Sequence, residues 1–238
     1  MFGKKKIYTT PAGTFYNLYN DMLEQKHILI AGQTGSGKSV IINGIISTAL
    51  YKTPDKAGFI LVDPKRVELI KYKNLPHTLY YASEPDTMIK ALKTGLAIIE
   101  KRYQEMQKKG IVKYNGSHIY IVIDELADLL TTDKKHILPL LQRIAQIGRA
   151  ANVHIIAATQ CPVAAILSTQ LKVNFDCIIG LHTRSAQDSR NITGFAGCEK
   201  LPKYGQGYYI TPDQTTLYNI PFVQDPEITR LVKHWTTK

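Results

Sequence analysis

The sequence predicts an α/β fold: a central, mostly parallel sheet flanked by helices, with an antiparallel hairpin at its C-terminal edge. Three observations carry that prediction. Apolar runs of strand length recur at residues 27–31, 59–62, 119–123 and 153–158 without polar alternation, as strands buried on both faces require. Longer stretches with apolar residues at helical spacing separate them. The first run breaks into Gly32-Gln33-Thr34-Gly35-Ser36-Gly37-Lys38-Ser39 and then into a helix-compatible stretch, residues 40–50. Strand, glycine-rich turn and helix in that order make a phosphate loop.

That loop has a specific chemistry. Its glycines let consecutive backbone N–H groups, from Gly32 to Val40, curl round a pyrophosphate. Lys38 reaches the outer phosphates, and the Ser39 hydroxyl can ligate Mg²⁺ at the helix N-terminus. ATP and Mg²⁺ are therefore the expected ligands.

At 238 residues the chain suits one sizeable domain, residues 27–238, preceded by a short N-terminal extension, residues 1–26. Lys4, Lys5 and Lys6 in that extension read as a solvated tail, with DNA contact as the alternative. No signal peptide or membrane-length apolar run occurs, so a soluble, cytoplasmic protein is expected. The cysteines Cys161, Cys177 and Cys198 sit in no metal spacing and form no disulfide framework. The net charge of +11 permits a polyanionic partner. It rests on 23 lysines against 7 arginines, a bias that AT-rich coding also produces. Four arginines, Arg143, Arg149, Arg184 and Arg190, lie in the second half, in or just beyond the segments assigned to the nucleotide site.

After the first helix, a turn at residues 53–58 leads into the strand at 59–62, which ends in Asp63-Pro64-Lys65. Functional groups collect beyond the carboxyl ends of strands in open α/β sheets, so Asp63 and Lys65 stand on the rim of the phosphate loop. The alternative is that Asp63 caps the next short helix and Lys65 is solvated. Residues 78–82 form another strand. Ser83-Glu84-Pro85-Asp86 starts a long helix to about residue 109, with Met88, Leu92, Leu96, Ile99, Tyr103 and Met106 facing the sheet.

The run at 119–123 delivers Asp124 and Glu125 to the same rim. Asp124 would hold the magnesium shell and Glu125 would polarise the attacking water. Residues 133–151 read as a helix containing Arg143 and Arg149. The strand at 153–158 is tipped by Thr159-Gln160, where a polar side chain can meet the γ-phosphate or the lytic water. Residues 176–181 form a further strand, 208–210 and 217–220 an edge hairpin, and 225–235 a final helix.

HILIAGQTGSGKS, FILVDPKRVEL, IYIVIDELADLL, RIAQIGRAANVHIIAATQ and AQDSRNITGFAG occur in the order and at the spacing of the FtsK/SpoIIIE-type DNA translocases, which the chain resembles over residues 27–210. The resemblance implies a RecA-like P-loop NTPase fold, with the Gln160 strand between the phosphate-loop and Asp124 strands. It implies a hexameric ring pumping double-stranded DNA, with Arg149 as an arginine finger donated to the neighbouring subunit's γ-phosphate. Lys172 matches a basic DNA-contacting position. Cys161 and Ala186 stand where arginine and lysine are usual, and Arg184 is placed to compensate. The family's membrane segment, its second domain ahead of the motor core and its winged-helix domain have no counterpart here, which points to a stripped-down motor of a mobile element, plasmid or phage. The alternatives are a secretion-type ATPase acting on protein and an ATP-dependent adaptor recruiting a relaxase or replication protein.

Overall fold

The four apolar runs and two further strands pair in parallel. A computed structural model describes residues 18–19, 21–24, 27–160 and 169–237. Strands β1 (Ile28–Ala31), β2 (Ala57–Val62), β3 (Thr78–Ala82), β4 (His118–Ile123), β5 (Val153–Thr159) and β6 (Cys177–Gly180) are mutually parallel. Strands β7 (Gln206–Thr211) and β8 (Gln214–Asn219) add the antiparallel hairpin at one edge. The spatial order β3-β2-β4-β5-β1-β6-β7-β8 places β5, the Gln160 strand, between β1 and β4.

Successive residues of each central strand serve opposite cores, which is why these strands are predominantly apolar. Ile28, Ile30, Phe59, Leu61, Tyr120, Val122, Ile156 and Ala158 face one side. There they meet α1 (Lys38–Lys52), Leu18, Tyr19 and Met22, with Ile228 of α6 (Asp225–Thr236). Leu29, Ile60, Val62, Ile121, Ile123, Ile155 and Ala157 face the other side, against α2 (Pro85–Lys109) and α3 (Leu126–Ile147). The approach of α1 is close enough that a Cβ on Gly44 would lie 2.2 Å from the Tyr19 ring. Two short helices, α4 (Thr169–Lys172) and α5 (Ala186–Thr193), bracket β6. Among the described residues no helix is long and apolar enough to cross a membrane, and Cys177 and Cys198 are free thiols.

The α3 helix differs from its sequence expectation. It starts at Leu126, immediately after the acidic pair, and kinks at Asp133, whose backbone is non-helical at φ −159° and ψ 76°. Asp133 Oδ1 accepts from the His136 N–H at 3.2 Å, so the residue does cap a helix. About two turns of helix nevertheless precede it, because Leu126, Leu129 and Leu130 all have a core to enter.

Candidate nucleotide site

The phosphate loop is pinned at the carboxyl edge of the sheet from both sides. Gly32 N–H donates to the Thr159 carbonyl at the end of β5 (3.2 Å), and Gln33 N–H donates to the His182 carbonyl just past β6 (2.9 Å). No side chain fits at Gly32, where a Cβ would stand 2.7 Å from both Leu181 Cβ and Ser36 Oγ. Gly37 turns into α1 at φ 102° and supplies no side-chain cap, leaving the first N–H groups of the helix open to an anion. Ser36 is 1% exposed, and its hydroxyl has no hydrogen-bond partner among the described residues. Lys38 is buried, and its Nζ donates to the Gly32 and Gln33 carbonyls, each at 2.8 Å. Burial pushes its pKa down to about 8 against the opposing pull of the Glu125 and Asp124 carboxylates.

Beside the loop opens a cleft of about 400 Å³. Thr34, Gly35, Gly37, Lys38, Ser39 and Val40 line one wall, and Lys65, Val67, Glu68, Asp124 and Gln160 line the rest. Asp63 lies behind this wall. It is fully buried, and its carboxylate accepts from the Val67 and Leu69 N–H groups (3.3 and 3.0 Å) and the Tyr81 hydroxyl (3.4 Å). It thereby folds the segment that presents Lys65, Val67 and Glu68 to the cleft. Lys65 is half exposed and pairs with Asp128 at 3.3 Å.

Asp124 is a partly buried carboxyl crowded by other acids. Burial pushes its carboxyl up to about 7, and the carboxylates of Asp63, Glu68 and Glu125 add to the shift. A divalent cation would neutralise that crowd, and Ser39 and Asp124 line the same cleft, so these residues fit Mg²⁺. Glu125 sits deeper, 2% exposed, as the N-cap residue of α3. It accepts from the Ala127 N–H, the Thr159 hydroxyl and the Gln160 N–H. The Gln160 side chain in turn accepts from the Thr34 hydroxyl at 2.6 Å, tying the end of β5 to the phosphate loop.

Arg149 stands elsewhere. It lies in the turn between α3 and Val153, at the amino end of β5, and pairs with Asp176 at 2.6 Å just ahead of β6. The length of β5, about 20 Å at 3.3 Å per residue, separates it from Gln160 in its own chain. Lys172 and Arg184 flank α5: Lys172 Nζ donates to the Asn191 carbonyl near the helix C-terminus (2.7 Å), and the exposed Arg184 directly precedes the Ser185 N-cap. Ala186 is the first residue of α5, and Cys161 lies outside the described residues.

Sequence reasoning missed Val67 and Glu68 on the cleft wall, His182 beneath the loop and the bond from Thr159 to Glu125. A signal existed only for the first two, since they follow Asp63-Pro64-Lys65 within a few residues.

The FtsK/SpoIIIE family model matches residues 10–120 and 114–164. The DNA translocase FtsK of Rickettsia typhi is 34% identical over 262 residues, covering 91% of this chain and 35% of the relative. DNA translocase FtsK 1 of Neisseria meningitidis serogroup B is 33% identical, covering 90% and 31%. The chain thus spans about a third of the length of these relatives. Among solved structures, the pCW3 conjugation coupling protein TcpA, in a monomer form with ATPγS, matches with a TM-score of 0.79 at 25% identity over 90% of this chain and 66% of that one. The cytoplasmic domain of the type VII secretion ATPase EccC from Thermomonospora curvata matches with a TM-score of 0.76 at 22% identity over 88% and 28%, a likeness of fold.

Proposed function

The chain belongs to the FtsK/SpoIIIE family, and from that premise we propose that it is an ATPase whose hydrolysis drives movement along double-stranded DNA. The observation that supports this most is the convergence of Lys38, Ser39, Asp124 and Gln160 on one cleft, with Glu125 directly behind it. Hydrolysis there is a matter of positioning and charge. The loop N–H groups and Lys38 hold the phosphates, and Glu125 accepts a hydrogen bond from the attacking water. The water oxygen bonds to the γ-phosphorus, the bond to the β,γ-bridging oxygen breaks, and the water's proton passes to solvent through the carboxylate or the released phosphate. Mg²⁺ held through Ser39 and Asp124 would supply further charge neutralisation.

Arg149 is the finger of this reading. Placed at the far end of β5, it can serve only another subunit's nucleotide, so the active form is an oligomer, taken as the hexameric ring that the family resemblance implies. Lys172 and Arg184 contact DNA phosphates without reading bases. The likeness to a conjugation coupling protein favours a role in moving the DNA of a plasmid, phage or other mobile element; a relaxase or replication protein as partner is a separate part of the proposal and rests on none of these relatives.

The deciding experiment is ATP turnover with and without long duplex DNA, across protein concentration and salt. Turnover raised many-fold by DNA of any sequence, lost at high salt and steeply concentration-dependent, is the expected outcome. Turnover indifferent to DNA removes the motor reading in favour of an adaptor, and stimulation by a protein substrate in place of DNA favours a secretion-type ATPase.

A further inference from the structure

Resting on the hydrolytic reading above, we propose that Thr159 is a positioning residue for the attack on ATP: its hydroxyl anchors one oxygen of Glu125 so that the other is left to the water. The two carboxylate oxygens are not equivalent. Oε1 accepts three hydrogen bonds, from the Ala127 N–H (3.2 Å), the Thr159 hydroxyl (2.9 Å) and the Gln160 N–H (3.2 Å). Oε2 accepts from the Gln160 N–H alone among these donors, at 3.1 Å. Oε1 is thus the fixed end of the group, and Oε2 keeps a lone pair for a further donor.

The sheet explains why the residue is a threonine. The pairing of Ile123 with Ala157 carries Glu125, two residues on, to the level of Thr159. All seven residues of β5 are buried, and a hydroxyl in so dry a strand costs free energy unless it is bonded. Ala127 and Gln160 act through backbone groups, leaving Thr159 as the side chain among these donors. The anchored carboxylate also opposes the loss of charge on Lys38, so its placement bears on the phosphate side of the cleft. Gln160, the residue after Thr159, accepts from Thr34 of the phosphate loop, so the anchor and the loop are parts of one hydrogen-bonded assembly.

Steady-state ATP turnover of the full chain, with saturating duplex DNA, tests this through Thr159→Val, which keeps shape and removes the hydroxyl, and Thr159→Ser, which keeps the hydroxyl. The Val variant is expected to lose about 10- to 100-fold in kcat, a share of what a general base supplies, with KM and the binding of a fluorescent ATP analogue changed by less than about twofold. The Ser variant is expected to stay within about threefold of the parent in kcat, and Thr159→Val combined with Glu125→Gln to be no slower than Glu125→Gln alone. Wild-type kcat in the Val variant, a rise in KM at constant kcat, or multiplied losses in the double variant would overturn the proposal. If Thr159→Val does not fold, Thr159→Cys replaces it: kcat between the expected Val and Ser values supports the anchor, and parental kcat overturns it. A parent chain whose turnover is unaffected by Lys38→Ala overturns the hydrolytic reading itself, and this inference with it. A Lys38-dependent parent beside an unimpaired Val variant overturns only the inference.

Discussion

The two ends of β5 carry opposite kinds of chemistry. At the carboxyl end, Thr159 and Gln160 meet Glu125 and Thr34, within a dense network around a phosphate loop and a raised Asp124 carboxyl. At the amino end, Arg149 is half exposed and answers only to Asp176 among its described ion pairs. One end holds a site for anionic phosphates with its acids in place. The other holds a guanidinium with, among the described residues, no phosphate site of its own chain within reach. In the proposed motor the two ends are halves of a single active site that one molecule cannot close on itself. In that proposal a head-to-tail interface, carboxyl edge against amino edge, would bring them together, and its repetition would form a ring where the rotation between subunits closes.

The largest expected effect separates the edges by function. Lys38→Ala removes the ammonium bonded to the Gly32 and Gln33 carbonyls and should abolish measurable ATP binding and turnover. Arg149→Ala should leave ATP binding by the dilute chain unchanged while reducing DNA-stimulated turnover by about 10³-fold, the lower range for an arginine finger. Mixing the two inactive variants sharpens the comparison. Subunits with Arg149→Ala keep an intact cleft and those with Lys38→Ala keep an intact finger, so the mixture should regain part of the parental turnover. A mixture as inactive as its components would place Arg149 in a structural role and break the two-edge account.

A smaller effect concerns the carboxyl edge alone. Binding of ATP without metal, followed with a fluorescent analogue in a chelator, should weaken as pH rises from 6 to 9. Through pH 7 the Asp124 carboxyl, pushed up to about 7, ionises and repels the polyphosphate; through pH 8 Lys38, pushed down to about 8, loses its charge. Each step changes affinity by at most about tenfold per pH unit. With Mg²⁺ added, the ionised Asp124 becomes favourable and the acid half of the trend should reverse. A flat metal-free profile would mean that neither group faces the bound phosphates.

These two edges were unequally legible in the sequence. The phosphate loop is local chemistry: Gly32 to Ser39 encode their own conformation, and the strand and helix on either side follow from apolar spacing. Asp124 and Glu125 could be read because a buried parallel strand must deliver its last residues to the rim. Of the strand order, the family resemblance implied only that the Gln160 strand lies between the phosphate-loop and Asp124 strands; the rest was not readable, since pairings such as Ile28 with Cys177 join residues that no local pattern connects. Asp63 shows the limit of rim logic. It stands where functional carboxylates collect, yet its side chain turns inward to hold Val67 and Leu69, a choice made by the fold of the following loop. Asp133 shows the limit of capping logic, since its cap is real but a neighbouring core keeps the preceding turns helical. The contacts of Arg149 with Asp176 and of Lys172 with Asn191 span chain separations over which side-chain geometry is unreadable before the sheet is assembled.

The smallest effect tests the amino edge on its own. Arg149 and Asp176 have side-chain exposures of 46% and 19%, so their ion pair is worth about 0–1 kcal/mol in a setting still open to solvent. Asp176→Asn should therefore lower the melting temperature by no more than about 4 °C. Its effect on turnover discriminates between roles for the arginine. A finger must leave Asp176 to reach the neighbour's γ-phosphate, and breaking a bond of about 1 kcal/mol or less costs at most about fivefold in rate. Neutralising Asp176 removes that cost, so DNA-stimulated turnover at limiting protein concentration should rise by up to about fivefold. If Arg149 instead needs Asp176 to hold the amino ends of β5 and β6 together, turnover should fall in Asp176→Asn, as it does in Arg149→Ala. The sign of that change, measured against the unchanged ATP affinity of the dilute chain, separates a guanidinium held in reserve from one committed to its own fold.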